Sequence, residues 1–372
     1  MASVRDIAQA TGVSITTVSR VLNSQEGVSK ATRDRVLEAA NRAGYVQSVG
    51  RRDTSNIGLV YTGRLEWDIG SPFDTALMRG MTSAMHELGF DLVLMDAERS
   101  REPGERFTQL FLRKGIRGVL IRTGDGTRHL ASEIVAEGFP AVVVADRFEG
   151  SETVSYVDAD SRTGSREATE YLIGLGHRRI AICLYSEEVA DMRDRLAGYR
   201  EAHAIAGLEP DPSLVLRVPT PWRRDGGGTL LRWMLGMPEP PTAVYAADPF
   251  TTAGIVAEAH RIGLRIPLDL SLVGFDDSDQ RLWATPQISA VCQDASSLGR
   301  QAFFALRRVL DGAGPVQEVL KTWFEPRGST GPAPGSRMPG ERSVVAGAEA
   351  SASRTPGAAG AAPGARRREV IP

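Results

Sequence analysis

The sequence predicts a small all-α head followed by an α/β core made of two doubly wound parallel-sheet lobes. Three observations carry that prediction. About 46 N-terminal residues read as three short capped helices; residues 57–326 alternate apolar strand-like runs with helical patterns; and from Arg327 onward Gly, Pro, Ala and Ser dominate without periodicity. At 372 residues the chain exceeds one typical domain. Hydrophobic residues at 42% and charged residues at 24% exclude wholesale disorder, and no apolar run approaches the ~18 residues that a membrane span needs. Arg5 and Asp6 stand where a secretory signal would need an apolar stretch, so a cytoplasmic protein is expected.

In the head, Ser3 with Asp6 three residues on forms a capping-box pattern that opens a first helix, RDIAQAT, with Ile7 and Ala8 turned inward. Gly12 and Val13 make a tight turn. Ser14 then caps a second helix, ITTVSRVLN, whose Val18, Val21 and Leu22 form the apolar side. That leaves Ile15, Thr16, Thr17, Ser19, Arg20 and Asn23 as outward candidates. Ser29 caps a third helix, from about Thr32 to Ala43, which Gly44 ends. Two helices joined by a short Gly-containing turn are the helix-turn-helix unit, whose second helix enters the DNA major groove.

The core reads as seven buried strands: IGLVY (57–61), FDLVLMD (90–96), GVLIR (118–122), AVVVAD (141–146), IAICLY (180–185), TAVYAAD (242–248) and LSLVGFDD (270–277). Helical patterns at Ala76–Leu88, Arg162–Leu175, Arg195–Ala206 and Thr251–Ile262 lie between them. Strand-then-helix repetition implies right-handed βαβ crossovers. Ligands in such folds bind beyond the carboxyl ends of the strands.

The net charge of −2 is a cancellation: residues 1–56 carry about +3, the core about −9, and the tail from Arg327, expected to be disordered, about +4. A basic head on an acidic core keeps nucleic acid in play. Cys183 and Cys292 stand in apolar surroundings outside any CxxC, and read as small core residues rather than a disulfide, a metal site or a nucleophile.

The string VRDIAQATGVSITTVSRVLN at Val4–Asn23, continued by VSKATRDRVLEAANRAGY at Val28–Tyr45, closely resembles the DNA-binding domain of the lactose-repressor (LacI/GalR) family of bacterial transcriptional regulators. The resemblance continues through GHRRIA within Leu172–Ala181, RLAGYREA at Arg195–Ala202, PPTAVYAAD at Pro240–Asp248 and RIPLDLSLVGFDD at Arg265–Asp277, and so covers about 1–326. It implies a helix-turn-helix domain over 1–46, a hinge over 47–56 and a core over 57–326 like a type I periplasmic binding protein. Lobe 1 would take about 57–157 and 295–318, lobe 2 about 158–294 and 319–326, leaving 327–372 as the tail. It implies a dimer acting, as a repressor, on a near-palindromic double-stranded operator on the nucleoid. Ser14, Ile15, Thr16, Thr17, Ser19, Arg20 and Asn23 then meet bases or phosphates. The chemistry agrees: Arg20 suits a phosphate or a guanine edge, and Ile15 a thymine methyl.

The hinge departs from the family. Val46–Asn56 is several residues shorter than usual and lacks the leucine that wedges into the minor groove, so Arg51 and Arg52 are expected on phosphates instead.

For the ligand, the resemblance implies a cleft between the lobes. It places Ser71 and Phe73 in a turn lining that cleft, Asp146 and Arg147 at the end of the fourth strand, Arg193 as the arginine that grips hydroxyls or a carboxylate, Asp248 and Asp276 after the sixth and seventh strands, and Gln293 in the return crossover. A forked guanidinium with carboxylates from several strand ends suits a polyhydroxylated, carbohydrate-like effector. Ala247 and Ala295 replace an amide and a stacking ring of other members, and Trp222 is the tryptophan expected at the ligand.

A non-sugar metabolite or a protein co-regulator is the alternative controller. An enzyme is the remote one, because Gly124–Gly126 lacks the rest of GxGxxG and Gly226–Gly228 lacks a phosphate-loop lysine. The five histidines show no metal-ligand spacing, so neither cofactor nor metal is expected.

Overall fold

The computed structural model describes residues 3–22, 27–43, 54–62, 71–123, 128–148, 150–185, 189–218 and 223–335. The head is three helices, α1 (Val4–Thr11), α2 (Ile15–Leu22) and α3 (Lys30–Arg42). The Ser3 capping box forms: the Asp6 amide donates to Ser3 Oγ, and the Ser3 amide donates to the Asp6 carboxylate at 2.7 Å. Gly12 ends α1 at φ +67, the left-handed turn that a side chain would disfavour. Ile7, Val18, Val21, Val36 and Ala40 close the small core.

Lobe 1 follows as β1 (Asn56–Tyr61), α4 (Pro72–Glu87), β2 (Asp91–Asp96), α5 (Ala97–Ser100), α6 (Phe107–Arg113), β3 (Gly118–Arg122), α7 (Arg128–Ala136), β4 (Ala141–Val144) and β5 (Tyr156–Ala159). Lobe 2 runs α8 (Ser161–Gly174), β6 (Ile180–Leu184), α9 (Ala190–Ile205), β7 (Val215–Arg217), α10 (Arg223–Leu235), β8 (Ala243–Ala246), α11 (Pro249–Ile262), β9 (Ser271–Phe275), α12 (Asp279–Trp283) and β10 (Ser289–Cys292). The chain then returns to lobe 1 with α13 (Ala295–Leu310) and β11 (Gln317–Leu320), and crosses once more to β12 (Trp323–Glu325).

The two sheets share one plan, β11-β5-β4-β3-β1-β2 and β12-β10-β9-β8-β6-β7. All pairs are parallel except β10 with β12. Strand order reverses between β1 and β3 and between β6 and β8, and the carboxyl ends of those strands are where such sheets bind ligands. In lobe 1 α4 and α13 approach closely enough that a Cβ on Gly80 would lie 1.8 Å from the Ser296 carbonyl, so only glycine fits.

All seven sequence-read strands are present, with β4 stopping at Val144 rather than Asp146. Five more were not read: β5, β7, β10, β11 and β12, each of three or four residues. Short strands on a sheet edge or mixed with polar residues lack the apolar run that marks a buried one.

The tail also begins later than composition suggests. Residues 327–335 form a strap on lobe 2: Ser329, fully buried, donates through Oγ to the Leu272 carbonyl at 2.6 Å and accepts from the Ser289 amide at 2.8 Å, and the Ala333 amide donates to the Leu175 carbonyl. His177 clamps it, with Nε2 at 3.0 Å from the Gly331 carbonyl and Nδ1 at 2.8 Å from Thr242 Oγ1. Satisfied backbone groups, not apolar area, hold this Gly/Pro/Ser segment down. Residues 336–372 lie outside the described residues.

Candidate DNA-reading helix and effector cleft

Ser14 Oγ accepts from the Thr17 amide at 3.1 Å and so caps α2. Val18 and Val21 face the head's core, which turns Ile15, Thr16, Ser19 and Arg20 outward, and all four are exposed. Thr17 is half-buried, its hydroxyl 2.8 Å from Ser14 Oγ. Ile15 is 51% exposed at the first turn, an apolar group that gains only if a partner covers it. Asn23, Arg51 and Arg52 lie outside the described residues.

At the carboxyl end of the lobe 1 sheet the polar side chains satisfy one another. Ser71 caps α4, and its hydroxyl also donates to Asp74 at 2.6 Å. Buried Asp74 accepts from Tyr61 Oη and from Arg122 Nε at 3.0 Å, and the Arg122 guanidinium sits 5.2 Å from the Phe73 ring centre. Asp146 is completely buried. It accepts from Arg128 Nε at 2.7 Å, Thr123 Oγ1 at 2.9 Å, the Arg147 amide, and the Ala190 amide of lobe 2. Its lone pairs are filled by protein, and the preceding Ala145 holds a positive φ of 55.

Arg147 bridges the lobes, donating to Asp158 on β5 at 2.9 Å and to Asp194 on α9 at 2.6 Å. Burial works against its charge, but the two carboxylates more than offset that and raise its pKa. Burial pushes Asp158 up to about 6.

The lobe 2 end is different. Arg195 is 4% exposed, sits over the Phe275 ring with 3.5 Å to the ring centre, pairs with Asp191 at 2.8 Å and donates to the Ala247 carbonyl. Among the described residues its buried Nε has no acceptor. Asp276 is held at φ +78, and burial pushes its carboxyl up to about 6 against the pull of Arg195 and of the Gln293 amide that donates to it. Such a backbone at a strand end is strain of the kind found at ligand sites. Arg193, the sequence candidate, is only partly buried on the same helix and is itself bonded. Asp248 caps α11: its Oδ1 accepts from the Phe250 and Thr251 amides at 2.9 Å each and its Oδ2 from the Thr251 hydroxyl, so both oxygens are committed to the start of the helix. Trp222 lies outside the described residues.

The sequence candidates Asp146, Arg147, Asp248, Asp276 and Gln293 thus stand just beyond strand ends, and Ser71 and Phe73 at the start of α4. Asp74, Arg122, Arg128, Asp158, Asp194 and Arg195 were not singled out there. For Arg195 a signal existed, since Met192, Leu196, Tyr199 and Ala202 mark the buried face of α9 and Arg195 lies on it.

Asp277, Cys292 and Glu325 offer three donor atoms within 4.8 Å of one another, but the Arg281 guanidinium lies among them and donates to both carboxylates. Burial pushes the Cys292 thiol up to about 12, so it stays neutral.

Among the described residues no helix is long and apolar enough to cross a membrane. Residues 3–48 match the model of bacterial regulatory proteins of the lacI family, and residues 169–330 that of a periplasmic binding protein-like domain. The chain is 31% identical over 335 residues to the HTH-type transcriptional repressor CytR of Escherichia coli strain K12, covering 88% of this chain and 96% of CytR. It is 30% identical to the E. coli K12 ribose operon repressor, covering 82% and 92%. The structure of the transcriptional regulator CelR in complex with cellobiose superimposes with a TM-score of 0.68 at 32% identity, over 88% of this chain and all of that one. With capped reading helix, two-lobed core and full-length relatives in agreement, the chain belongs to the lacI family of bacterial transcriptional regulators.

Proposed function

We propose that the chain is a cytoplasmic, nucleoid-acting repressor without enzymatic activity, that it binds a near-palindromic operator as a dimer through α2, and that a carbohydrate-like effector between the lobes controls it. The observation that carries the effector reading is the buried Arg195 guanidinium, whose Nε has no acceptor among the described residues and whose charge acts on the Asp276 carboxyl. A buried orphan N–H costs about 1–3 kcal/mol, which a hydroxyl oxygen would recover. Two relatives bear on the same point: CelR was solved with cellobiose, and another relative represses a ribose operon. Arg195, Asp276 and Gln293 are the primary contacts in this reading. Ser71, Asp146 and Asp248 are frame.

Isothermal titration of the full chain against cellobiose, other glucosides, ribose and nucleosides tests the effector. Heat with one of them, lost in Arg195→Met, supports it; no heat with any, and operator binding indifferent to all, points to a protein co-regulator. On DNA, Arg20→Ala is expected to weaken operator binding and lower the salt slope by about 1. An unchanged slope would contradict the placement of Arg20.

A further inference from the structure

We propose that Arg147 acts as a latch between the lobes, holding their relative position through Asp194, rather than as a ligand contact. This rests on the reading of the cleft as the control site, and it assigns a device by which that site is coupled to the heads.

The geometry is specific. Arg147 follows β4 of lobe 1, and the two arms of its guanidinium go to different bodies: Nη1 to Asp158 of its own lobe at 2.9 Å, Nη2 to Asp194 of lobe 2 at 2.6 Å. Asp158 is 2% exposed and the Asp194 side chain 12%, so water competes little for either bond. Asp158 fixes the direction of the fork, and a planar guanidinium so fixed can reach the second carboxylate only at one spacing of the lobes. One turn earlier on α9, the Ala190 amide donates to Asp146 at 3.2 Å, a second tie at the same seam. That tie involves a backbone amide and no charge of lobe 2, so the ion pair is the stronger of the two. Rotation of lobe 2 about the three crossover segments works against the Arg147–Asp194 bond and the Ala190–Asp146 tie together, because both span the seam directly. A ligand bound between the lobes therefore changes operator affinity to the extent that it makes or breaks this bond.

The test is the distance between spin labels on Ser132→Cys in α7 and Glu209→Cys beyond α9, both exposed, in the full chain diluted with excess unlabelled protein. The native cysteines are buried. Wild type is expected to show one dominant distance. Arg147→Ala and Asp194→Asn are each expected to raise the share of longer distances about tenfold, the equivalent of about 1.4 kcal/mol. Arg147→Lys, which keeps the charge, is expected to recover part of it, and Asp158→Asn to move the distribution less than Asp194→Asn. Arg147→Ala leaves Asp158 buried without its partner, so if it does not fold, Asp194→Asn decides alone. Distributions superimposable on wild type in natively folded variants would overturn the latch. The measurement uses neither ligand nor DNA: altered distances with no sugar response would keep the latch and remove the effector reading.

Discussion

The two lobes have the same sheet plan and opposite chemistry at their carboxyl ends. In lobe 1 the buried carboxylates are saturated: Asp74 by Ser71, Tyr61 and Arg122, Asp146 by Arg128, Thr123 and two amides. In lobe 2, among the described residues, the Asp276 carboxylate accepts only from Gln293, on a strained backbone, and Arg195 keeps an unused N–H. Duplicated topology thus gives a frame on one side and reactive bonding capacity on the other. A carboxylate at a strand end of such a fold is not by itself a ligand group; its existing partners decide.

The sharpest way to break this comparison is to remove one arginine from each side. Arg128→Ala leaves Asp146 as an uncompensated buried charge and is expected to cost about 3–5 kcal/mol in urea unfolding. Arg195→Met fills the space on Phe275, and Asp276 can take up a proton, so about 1–2 kcal/mol is expected there, with loss of ligand binding. Equal costs would mean that both ends are frame.

A smaller effect comes from pH. The folded pKa of Asp276, about 6, lies above its unfolded value, so the group's contribution to stability is complete below the unfolded pKa and lost as pH rises through 6. Asp276→Asn lacks this loss. Between about pH 4.5 and pH 7.5 the variant is expected to gain on wild type by an amount on the order of 2 kcal/mol. A difference flat with pH would show that Asp276 ionises freely, as an open and solvated group would. Smallest is Ser71→Ala, about 1 kcal/mol for the lost cap, with ligand affinity unchanged if lobe 1 is frame there.

Much of this was legible in the sequence because it rests on local signals. The Ser3, Ser14 and Ser29 caps and the Val18/Val21 stripe are written in neighbouring residues. The long apolar strands were legible for the same reason. β5 (YVDA) and β11 (QEVL) were not: β11 is a strand only by pairing with β5, from Gln317 back to Tyr156, and β5 lies between β11 and β4 with polar residues in its short run, so Asp158 was not legible either. Asp248 shows the converse limit: a strand-end aspartate followed by Pro249 reads equally as ligand group or helix cap until its hydrogen bonds are seen. Choosing between Arg193 and Arg195 required knowing which way α9 faces.

The strap at 327–335 fixes the polarity of the molecule. It crosses the amino ends of β9 and β10, whereas the head joins at the amino end of β1, and the carboxyl ends of both sheets meet between the lobes. Head and tail therefore leave from opposite poles. A truncation after Pro326 would unzip the floor of lobe 2 and strand His177 without its carbonyl, while one after Gly335 would leave that floor closed. A dye, tether or surface anchor attached beyond Gly335 would hold the protein by lobe 2, at the amino ends of its strands.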